Sequence, residues 1–352
     1  MSTKLKTYYI KTFGCQMNEA DSEKIAAVFN AQGYQLANSF KEADVVIINT
    51  CSVRQSAEDR VLGLVNNLSK LKIENCKLKI ILTGCMLRYP LPYLKKILPR
   101  VDEFIKLKDL LPKPSSIIHH PSSKTHAWIT IMEGCDNYCT YCVVPYSRGR
   151  EVSRPMEEII CEVKELVKRG YKEITLLGQN VNSYGKPNEF NKANKSQFAK
   201  LLRKLHKIKG LKKISFLTSN PQDLTDDIIK AMKLRKIDRY LHLPIQSGDD
   251  EILKKMNRRY TVKQYLNLIN KIRKQIPNIE IGTDFIVGFP GETKEQFQHT
   301  VNLCKQVNFK LAYINKYSSR SGTIAYKLKD NVPWQEKKRR WKVLEKLINK
   351  KI

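Results

Sequence analysis

Three cysteines, Cys135, Cys139 and Cys142, follow one another in a CxxxCxxC spacing. Thiolates three and four positions apart on a tight loop can reach three corners of one iron–sulfur cube, which leaves the fourth iron open for a substrate. A zinc site would want a fourth Cys or His nearby, and none follows closely in the sequence. The spacing predicts a 4Fe–4S cluster, with zinc as the alternative.

Three further cysteines, Cys15, Cys51 and Cys85, each come just after an apolar run that is typical of a β-strand. In a parallel sheet the loops after the strands emerge along one edge, so these distant thiols can converge. Free cysteines are often simply buried, and three packing residues are therefore the alternative. Cysteines that only pack would lie within strands or helices. The repeated position at strand ends favours a second cluster with an open iron.

The nine cysteines are odd in number, which argues against a disulfide framework. Cys76, Cys161 and Cys304 fall in helical or loop patterns and are predicted to pack. No apolar run approaches the length of a membrane span, and the first residues lead straight into a strand pattern. We therefore expect a cytoplasmic protein that does not enter a membrane.

The chain is strongly basic, with 64 Lys and Arg against 34 Asp and Glu, a formal charge of +30 over 352 residues. An excess of this size favours a nucleic-acid partner. The joint abundance of Lys, Ile and Asn also fits the bias of an AT-rich genome. Charge alone therefore suggests RNA or DNA without establishing it.

Two series of alternating strand and helix patterns must position these cysteines. The first, over residues 6–110, predicts a parallel α/β domain, and the Pro-, Ser- and His-rich residues 111–126 read as a linker. The second, over residues 127–333, contains six strand–helix units, which suit an open (βα)6 partial TIM barrel whose chemistry collects at the carboxyl ends of the strands. Residues 334–352 form a basic tail. Six strand segments are predicted in the second series: 128–132, 173–177, 213–217, 240–243, 280–287 and 311–317.

The two three-cysteine sites and the sequence motifs around them resemble the methylthiotransferase family of radical S-adenosylmethionine enzymes. The resemblance runs over about residues 7–345. Its motifs are KTFGCQMNEADSE at 11–23, NTCSVR at 49–54, IMEGC at 131–135, VVPY at 143–146, LLGQNVN at 176–182, LHLPIQSG at 241–248 and DFIVGFPGET at 284–293.

The resemblance implies two 4Fe–4S clusters and S-adenosyl-L-methionine as cofactors. Cys135, Cys139 and Cys142 would hold the cluster that cleaves S-adenosylmethionine to a 5′-deoxyadenosyl radical. Cys15, Cys51 and Cys85 would hold an auxiliary cluster that handles sulfur. The cofactor pocket would use Tyr141, beside the adenine, and five polar residues at strand ends: Gln179, Asn180, Ser219, His242 and Gln246. Loop packing or loop hydrogen bonding is the alternative for each of these six.

Residues 16–18 and 52–54 resemble the branch that acts on prenylated adenosine in tRNA. This implies methylthiolation of carbon 2 of N(6)-dimethylallyladenosine at position 37, beside the anticodon. Branches that modify threonylcarbamoyl-adenosine or a ribosomal protein are the enzymatic alternatives. An iron–sulfur protein that binds RNA or senses redox state without turnover is the non-enzymatic one.

The same resemblance implies tRNA, through its anticodon loop, as partner and an electron donor such as flavodoxin or ferredoxin. We expect a monomer. Arg148 and Arg150 are candidate contacts to the phosphate backbone, and a solvated basic face is the alternative for each. Family members usually continue into a small β-barrel RNA-binding module. That module is expected to be absent from the sequence given, which ends at Ile352.

Overall fold

The structure is a computed structural model that describes residues 5–74, 77–111, 123, 125–186 and 196–351. The chain divides into two compact units. The first comprises residues 1–130 and 146–149, and the second comprises residues 131–145 and 150–352. Within the described ranges, no helix is both long and apolar enough to cross a membrane.

The first unit is built on a five-stranded sheet. Its strands are β1 (Thr7–Thr12), β2 (Gln35–Leu36), β3 (Val45–Thr50), β4 (Lys79–Gly84) and β5 (Glu103–Phe104), and β6 (His126–Thr130) follows them. Its helices are α1 (Gln16–Ala31), α2 (Gln55–Glu74), α3 (Leu91–Ile97) and α4 (Leu107–Leu110), and the short helix α5 (Val144–Arg148) reaches into this unit at its end.

The neighbouring strands of this sheet pair in parallel, and the strand order is β2-β1-β3-β4-β5. The central strand β3 is buried along its whole length, because its side chains alternate between two apolar clusters. Val46 and Ile48 pack with α2, whereas Val45 and Ile47 pack with residues of α1. This arrangement confirms the predicted parallel α/β fold and adds the short edge strands β2 and β5.

The order 2-1-3-4-5 reverses direction between β1 and β3. In open α/β sheets, ligands bind outside the carboxyl ends of the strands at such a switch point. Cys15 follows β1 and Cys51 follows β3, which places both at this point, while Cys85 follows β4 beside them. The topology therefore puts the three thiols at the position where this fold class binds its ligands.

The second unit also alternates strands and helices. Its strands are β7 (Met132–Glu133), β8 (Val152–Ser153), β9 (Glu173–Leu177), β10 (Lys213–Phe216), β11 (Tyr240–His242), β12 (Glu280–Val287) and β13 (Leu311–Lys316). Its helices are α6 (Met156–Lys168), α7 (Phe198–His206), α8 (Asp226–Met232), α9 (Asp250–Lys255), α10 (Val262–Gln275), α11 (Lys294–Val307) and α12 (Trp334–Ile348).

Strands β9 and β10 pair in parallel, and β11, β12 and β13 form a second parallel sheet in that order. A parallel bridge joins Ile214 to Ile237, and the Ile131 amide donates to the carbonyl of Leu177 at the end of β9 (2.9 Å). The five predicted strands from 173 onward are confirmed. The strand predicted at 128–132 is interrupted at Ile131 and becomes β6 and β7.

The predicted basic tail is largely the helix α12, which packs on the second unit. Lys337 and Arg340 point inward and are buried. The Lys337 ammonium pairs with Asp330 (2.6 Å), and the Arg340 guanidinium pairs with Glu292 (2.6 Å). Because charges that leave water must be paired, these contacts fix the helix against the unit. The predicted boundaries also shift, since β6 and residues 146–149 group with the first unit. Cys76 and most of the predicted linker lie outside the described residues.

Substitution of Gly84 should destabilise the first unit. Gly84 has a φ of 88°, and a Cβ there would lie 2.5 Å from the Thr50 carbonyl oxygen. We expect Gly84→Ala to cost about 1–3 kcal/mol of unfolding free energy, because both the backbone and the contact are strained. The measurement is the midpoint of thermal unfolding.

Gly63 is the matched control. It lies inside α2 and a Cβ there meets no atom within 4 Å. Gly63→Ala should stabilise the chain by about 0.5–1 kcal/mol, because alanine loses less backbone entropy in a helix. Equal midpoints for the two variants would contradict the strain at Gly84.

Two candidate cluster sites

The three thiols of the first unit lie close enough to interact with one another. Burial and the neighbouring Cys85 and Cys15 thiols raise the pKa of Cys51 to about 11. Cys51 and Cys85 are buried and Cys15 is exposed, and all three are free. A Cβ placed on Gly14 would lie 2.9 Å from the Cys51 Cβ, so the loop carrying Cys15 approaches Cys51 closely. We refer to these three cysteines as the first-unit site.

Buried polar side chains tie together the loops that carry this site. The Asn18 amide donates to the Asn49 side chain (3.1 Å) and to the Thr50 carbonyl (3.0 Å). The Asn49 amide donates in return to the Asn18 carbonyl (2.8 Å). The Thr50 hydroxyl donates to the Thr83 carbonyl (2.6 Å) and accepts from the Met86 amide (3.1 Å). Because each contact joins residues more than thirty positions apart or flanking a cysteine, the network sets the spacing of the thiols.

Arg148 belongs to the first-unit site, which corrects its prediction as a phosphate contact. Its guanidinium pairs with Asp21 at 2.7 Å, and both side chains are buried. Burial raises the pKa of the Cys85 thiol, and Arg148, which donates to its sulfur, opposes that rise. A guanidinium enclosed in this way cannot reach a nucleic-acid backbone without breaking a buried ion pair. The sequence shows only that Arg148 is basic, and its burial results from the fold.

The loop after β7 gathers Cys135, Cys139 and Cys142, which we call the second-unit site. Burial raises the pKa of Cys135 to about 11, and burial together with the Cys139 and Cys135 thiols raises that of Cys142. The Asn137 side chain donates to the Cys135 sulfur (3.5 Å), and the Val144 amide donates to the Cys142 sulfur (3.4 Å). Donors that already point at the sulfurs suit thiolates, which are the form that ligates a cluster.

The backbone of this loop is held by residues more than one hundred positions later in the chain. The Thr140 amide donates to the Met256 carbonyl (3.1 Å), and the Asn257 side chain donates to the carbonyls of Asn137 (3.1 Å) and Tyr138 (3.0 Å). Tyr138 has a φ of 46° and Asn257 one of 57°. Left-handed conformations at non-glycine residues are uncommon and cluster at functional sites.

Polar residues follow the strands at the same edge. The Gln179 side chain accepts a hydrogen bond from the Gly134 amide (2.6 Å), which links the end of β9 to the start of the cysteine loop. The Asn180 amide donates to Asp223 (2.6 Å). Three buried side chains nevertheless keep polar atoms without a hydrogen-bond partner: Asn180 through Oδ1, Asn182 through both amide atoms, and Ser219 through its hydroxyl.

Buried polar atoms without partners are rare, and each needs an explanation such as a ligand. S-adenosylmethionine carries amino, carboxylate and ribose groups that can satisfy donors and acceptors of this kind. The arrangement therefore fits this cofactor. Asn182 was not among the predicted residues, although it stands in the same motif as Gln179 and Asn180.

His242 and Gln246 are also buried at this edge, but with other contacts. The His242 ring lies 3.2 Å from Asp284 through Nε2 and 3.3 Å from the Tyr240 hydroxyl through Nδ1. Gln246 has a φ of 79°, and its backbone bonds to β12. Tyr141 packs into an apolar cluster with residues that include Met256. Loop packing, the alternative interpretation of Tyr141, thus accounts for part of its surface.

Among the described residues, no three His, Cys, Asp or Glu side chains are arranged to hold one metal ion. A cluster bonds its thiolates to different irons, so its sulfurs need not meet at one point as they must around zinc. Of the remaining cysteines that the structure describes, Cys304 is buried as predicted, whereas Cys161 is exposed and does not pack.

Two basic residues lie near the second-unit site and differ in their contacts. Arg150, a predicted RNA contact, is largely exposed and pairs with Asp136 at 2.7 Å. Arg258 was not predicted, and it donates to the Cys139 sulfur (3.5 Å). No spacing signal separates it from the many other basic residues of the chain.

Comparison with known families assigns both parts of the chain. Residues 129–304 match the Radical SAM superfamily, and residues 7–106 match the Uncharacterized protein family UPF0004. The chain is similar in fold to the radical S-adenosylmethionine methyltransferase TsrM from Kitasatospora setae, with a TM-score of 0.61 and 11% identity over 88% of this chain and 73% of that one. This structural likeness shows the fold.

Curated relatives are much closer in sequence. The chain is 45% identical to the tRNA-2-methylthio-N(6)-dimethylallyladenosine synthase of Clostridium tetani, over 98% of this chain and 81% of that protein. It is 44% identical to the enzyme of the same name from Thermoanaerobacter pseudethanolicus, over 97% of this chain and 78% of that protein. The two thiol sites, the fold and this identity agree, and the chain belongs to the tRNA-2-methylthio-N(6)-dimethylallyladenosine synthase family of radical S-adenosylmethionine enzymes.

Proposed function

We propose that this protein is a transferase that methylthiolates carbon 2 of N(6)-dimethylallyladenosine in tRNA, at position 37 beside the anticodon. The observation that carries the proposal is the presence of two separate three-thiol sites, one in each unit, in a chain about 45% identical to enzymes named for this product. A protein that only binds RNA or senses redox state has no need for a second site of this kind.

Cys135, Cys139 and Cys142 would hold one 4Fe–4S cluster, and Asn180, Asn182 and Ser219 offer polar atoms to S-adenosylmethionine. When bound, this pair supplies the radical chemistry that an inert aromatic C–H bond requires. The protein's part is to orient the sulfurs through donors such as the Val144 amide (3.4 Å).

Cys15, Cys51 and Cys85 would hold the auxiliary cluster that provides sulfur. The buried Asn18, Asn49 and Thr50 network keeps the three loops that carry the thiols in register. Arg148 places a positive group at the Cys85 sulfur, and the carboxylate of Asp21 neutralises that positive charge.

We further propose that the substrate enters through its anticodon loop, since single-stranded bases can be splayed out and stacked on a protein. The exposed Arg150 remains a candidate phosphate contact. A low-potential carrier such as flavodoxin or ferredoxin would donate electrons, and the protein would act as a cytoplasmic monomer.

Removing one thiol from each site should separate their functions. Cys139→Ala should abolish formation of 5′-deoxyadenosine and of every later product, because two anchors do not retain the cluster that binds S-adenosylmethionine. Cys51→Ala should keep part of that cleavage but yield no methylthio product. The measurements are 5′-deoxyadenosine release and methylthio-nucleoside formation after anaerobic reconstitution.

Iron content gives an independent reading of the same variants. It should fall from about eight to about four irons per chain in either variant, if both sites carry 4Fe–4S cubes. Cys161→Ala is the control, because that cysteine is exposed and outside both sites, and it should change nothing. Full iron content together with normal methylthiolation in Cys51→Ala would remove the first-unit site from the proposal.

The prenyl group should be required for modification. Five buried prenyl carbons, at about 0.8 kcal/mol for each methylene, can contribute a few kcal/mol of discrimination. We expect at least a tenfold lower rate on tRNA that lacks the prenyl group, measured as methylthio product per unit time at limiting substrate. Equal rates, or activity on a ribosomal protein instead, would assign the chain to another branch.

Binding of tRNA should weaken steeply with salt. A site that neutralises several phosphates releases counterions, so the logarithm of the affinity falls linearly with the logarithm of salt concentration. Arg150→Gln should reduce the size of that slope by about one if this exposed guanidinium contacts a phosphate. Binding that barely changes between low and physiological salt would attribute the charge of +30 to genome composition.

A further inference from the structure

The Arg258 guanidinium is held in one orientation by three hydrogen bonds. Its Nε donates to the Tyr260 hydroxyl (2.7 Å), its Nη2 to the Pro244 carbonyl (2.8 Å) and its Nη1 to the Cys139 sulfur (3.5 Å). The group also lies 5.0 Å from the centre of the Tyr260 ring. Because Arg presents its donors in a rigid fork, these contacts fix which nitrogen faces the sulfur.

No carboxylate among the described residues forms an ion pair with Arg258. Its hydrogen-bond partners are a phenol, a carbonyl and a thiol, and none of these carries a negative charge while the thiol is protonated. A partly buried cation is costly unless an anion compensates it. The group placed to provide that anion is the Cys139 thiolate, together with the cluster that it would ligate.

The first-unit site is built differently. Arg148 also donates to a cysteine sulfur, that of Cys85, but it is paired with the buried Asp21 at 2.7 Å. The two sites thus share an arginine–sulfur contact and differ in net charge beside the sulfur. That charge is about zero at Cys85 and positive at Cys139.

We propose that Arg258 is a positioning residue that raises the reduction potential of the cluster at the second-unit site, by directing an uncompensated positive charge at the Cys139 sulfur. This inference rests on the proposed assignment of that cluster. Reduction takes one electron from an external reductant and adds one negative charge, with no bond made or broken. Net charge and hydrogen bonds to the sulfurs set cluster potentials, so a fixed cation favours the reduced form. The Arg148–Asp21 pair at Cys85 adds a hydrogen bond but no such net charge.

The test is a redox titration of the reconstituted full chain without S-adenosylmethionine, followed by electron paramagnetic resonance. A parallel titration in a Cys51→Ala background identifies the signal of the second-unit site. At a fixed ambient potential, Arg258→Gln should lower the ratio of reduced to oxidised cluster at least tenfold. For one electron, a tenfold change equals about 59 mV. Gln keeps a donor but removes the charge.

Two variants separate charge from structure. Arg259→Gln changes the adjacent, exposed arginine and should leave the ratio as it is in the wild type. Arg258→Lys keeps the charge and should lower the ratio less than tenfold. An unchanged ratio in Arg258→Gln with full iron content would overturn the inference.

If Arg258→Gln loses its cluster, the test rests on Arg258→Lys. A tenfold or greater fall in its ratio of reduced to oxidised cluster, despite the retained charge, would overturn the inference. Failure of the wild-type chain to load any cluster through Cys135, Cys139 and Cys142 would instead contradict the proposed function. That outcome is recognised by iron content before any titration.

Discussion

A parallel strand ends where its neighbours end, and this constraint determines where a chain can gather reactive groups that are distant in sequence. In the first unit, three strands that pair directly, β1, β3 and β4, each release a cysteine at the same edge. The order in which strands are added to the sheet reverses between β1 and β3, and this switch point forms a crevice. The helices need only cover the two apolar faces. The thiols come from the few residues after each strand, and α1 and α5 add the buried Asp21–Arg148 ion pair.

In the second unit, the carboxyl ends of the strands serve a different purpose. Its three cysteines come from one short loop, and the strand ends supply the polar groups around that loop instead. The three thiols therefore lie together because of their spacing in the sequence, whereas Asn180, Asn182 and Ser219 are brought together by the fold. The left-handed residues Tyr138 and Asn257 show the local cost of holding the loop in place.

The parts that the sequence predicts well are those governed by local pattern. Strand positions, the parallel fold and both cysteine sets follow from apolar runs and from residues at fixed offsets. The parts that it does not predict depend on which side of an element meets another. Arg148 and Arg340 are buried ion-pair partners, yet in the sequence they look like any other basic residue. With 64 Lys and Arg in the chain, composition conceals the few whose charge is used inside the fold.

The grouping of residues 146–149 with the first unit affects how that unit can be made. Asp21 is fully buried, and its partner Arg148 is synthesised 127 positions later, after the whole cysteine loop of the second unit. During translation, the first-unit site therefore remains electrostatically incomplete long after its last cysteine has been added. A fragment cut at the end of β6 would leave the Asp21 carboxylate buried without its cation, at a cost of about 3–5 kcal/mol. The first unit is thus compact in space but not separable in sequence.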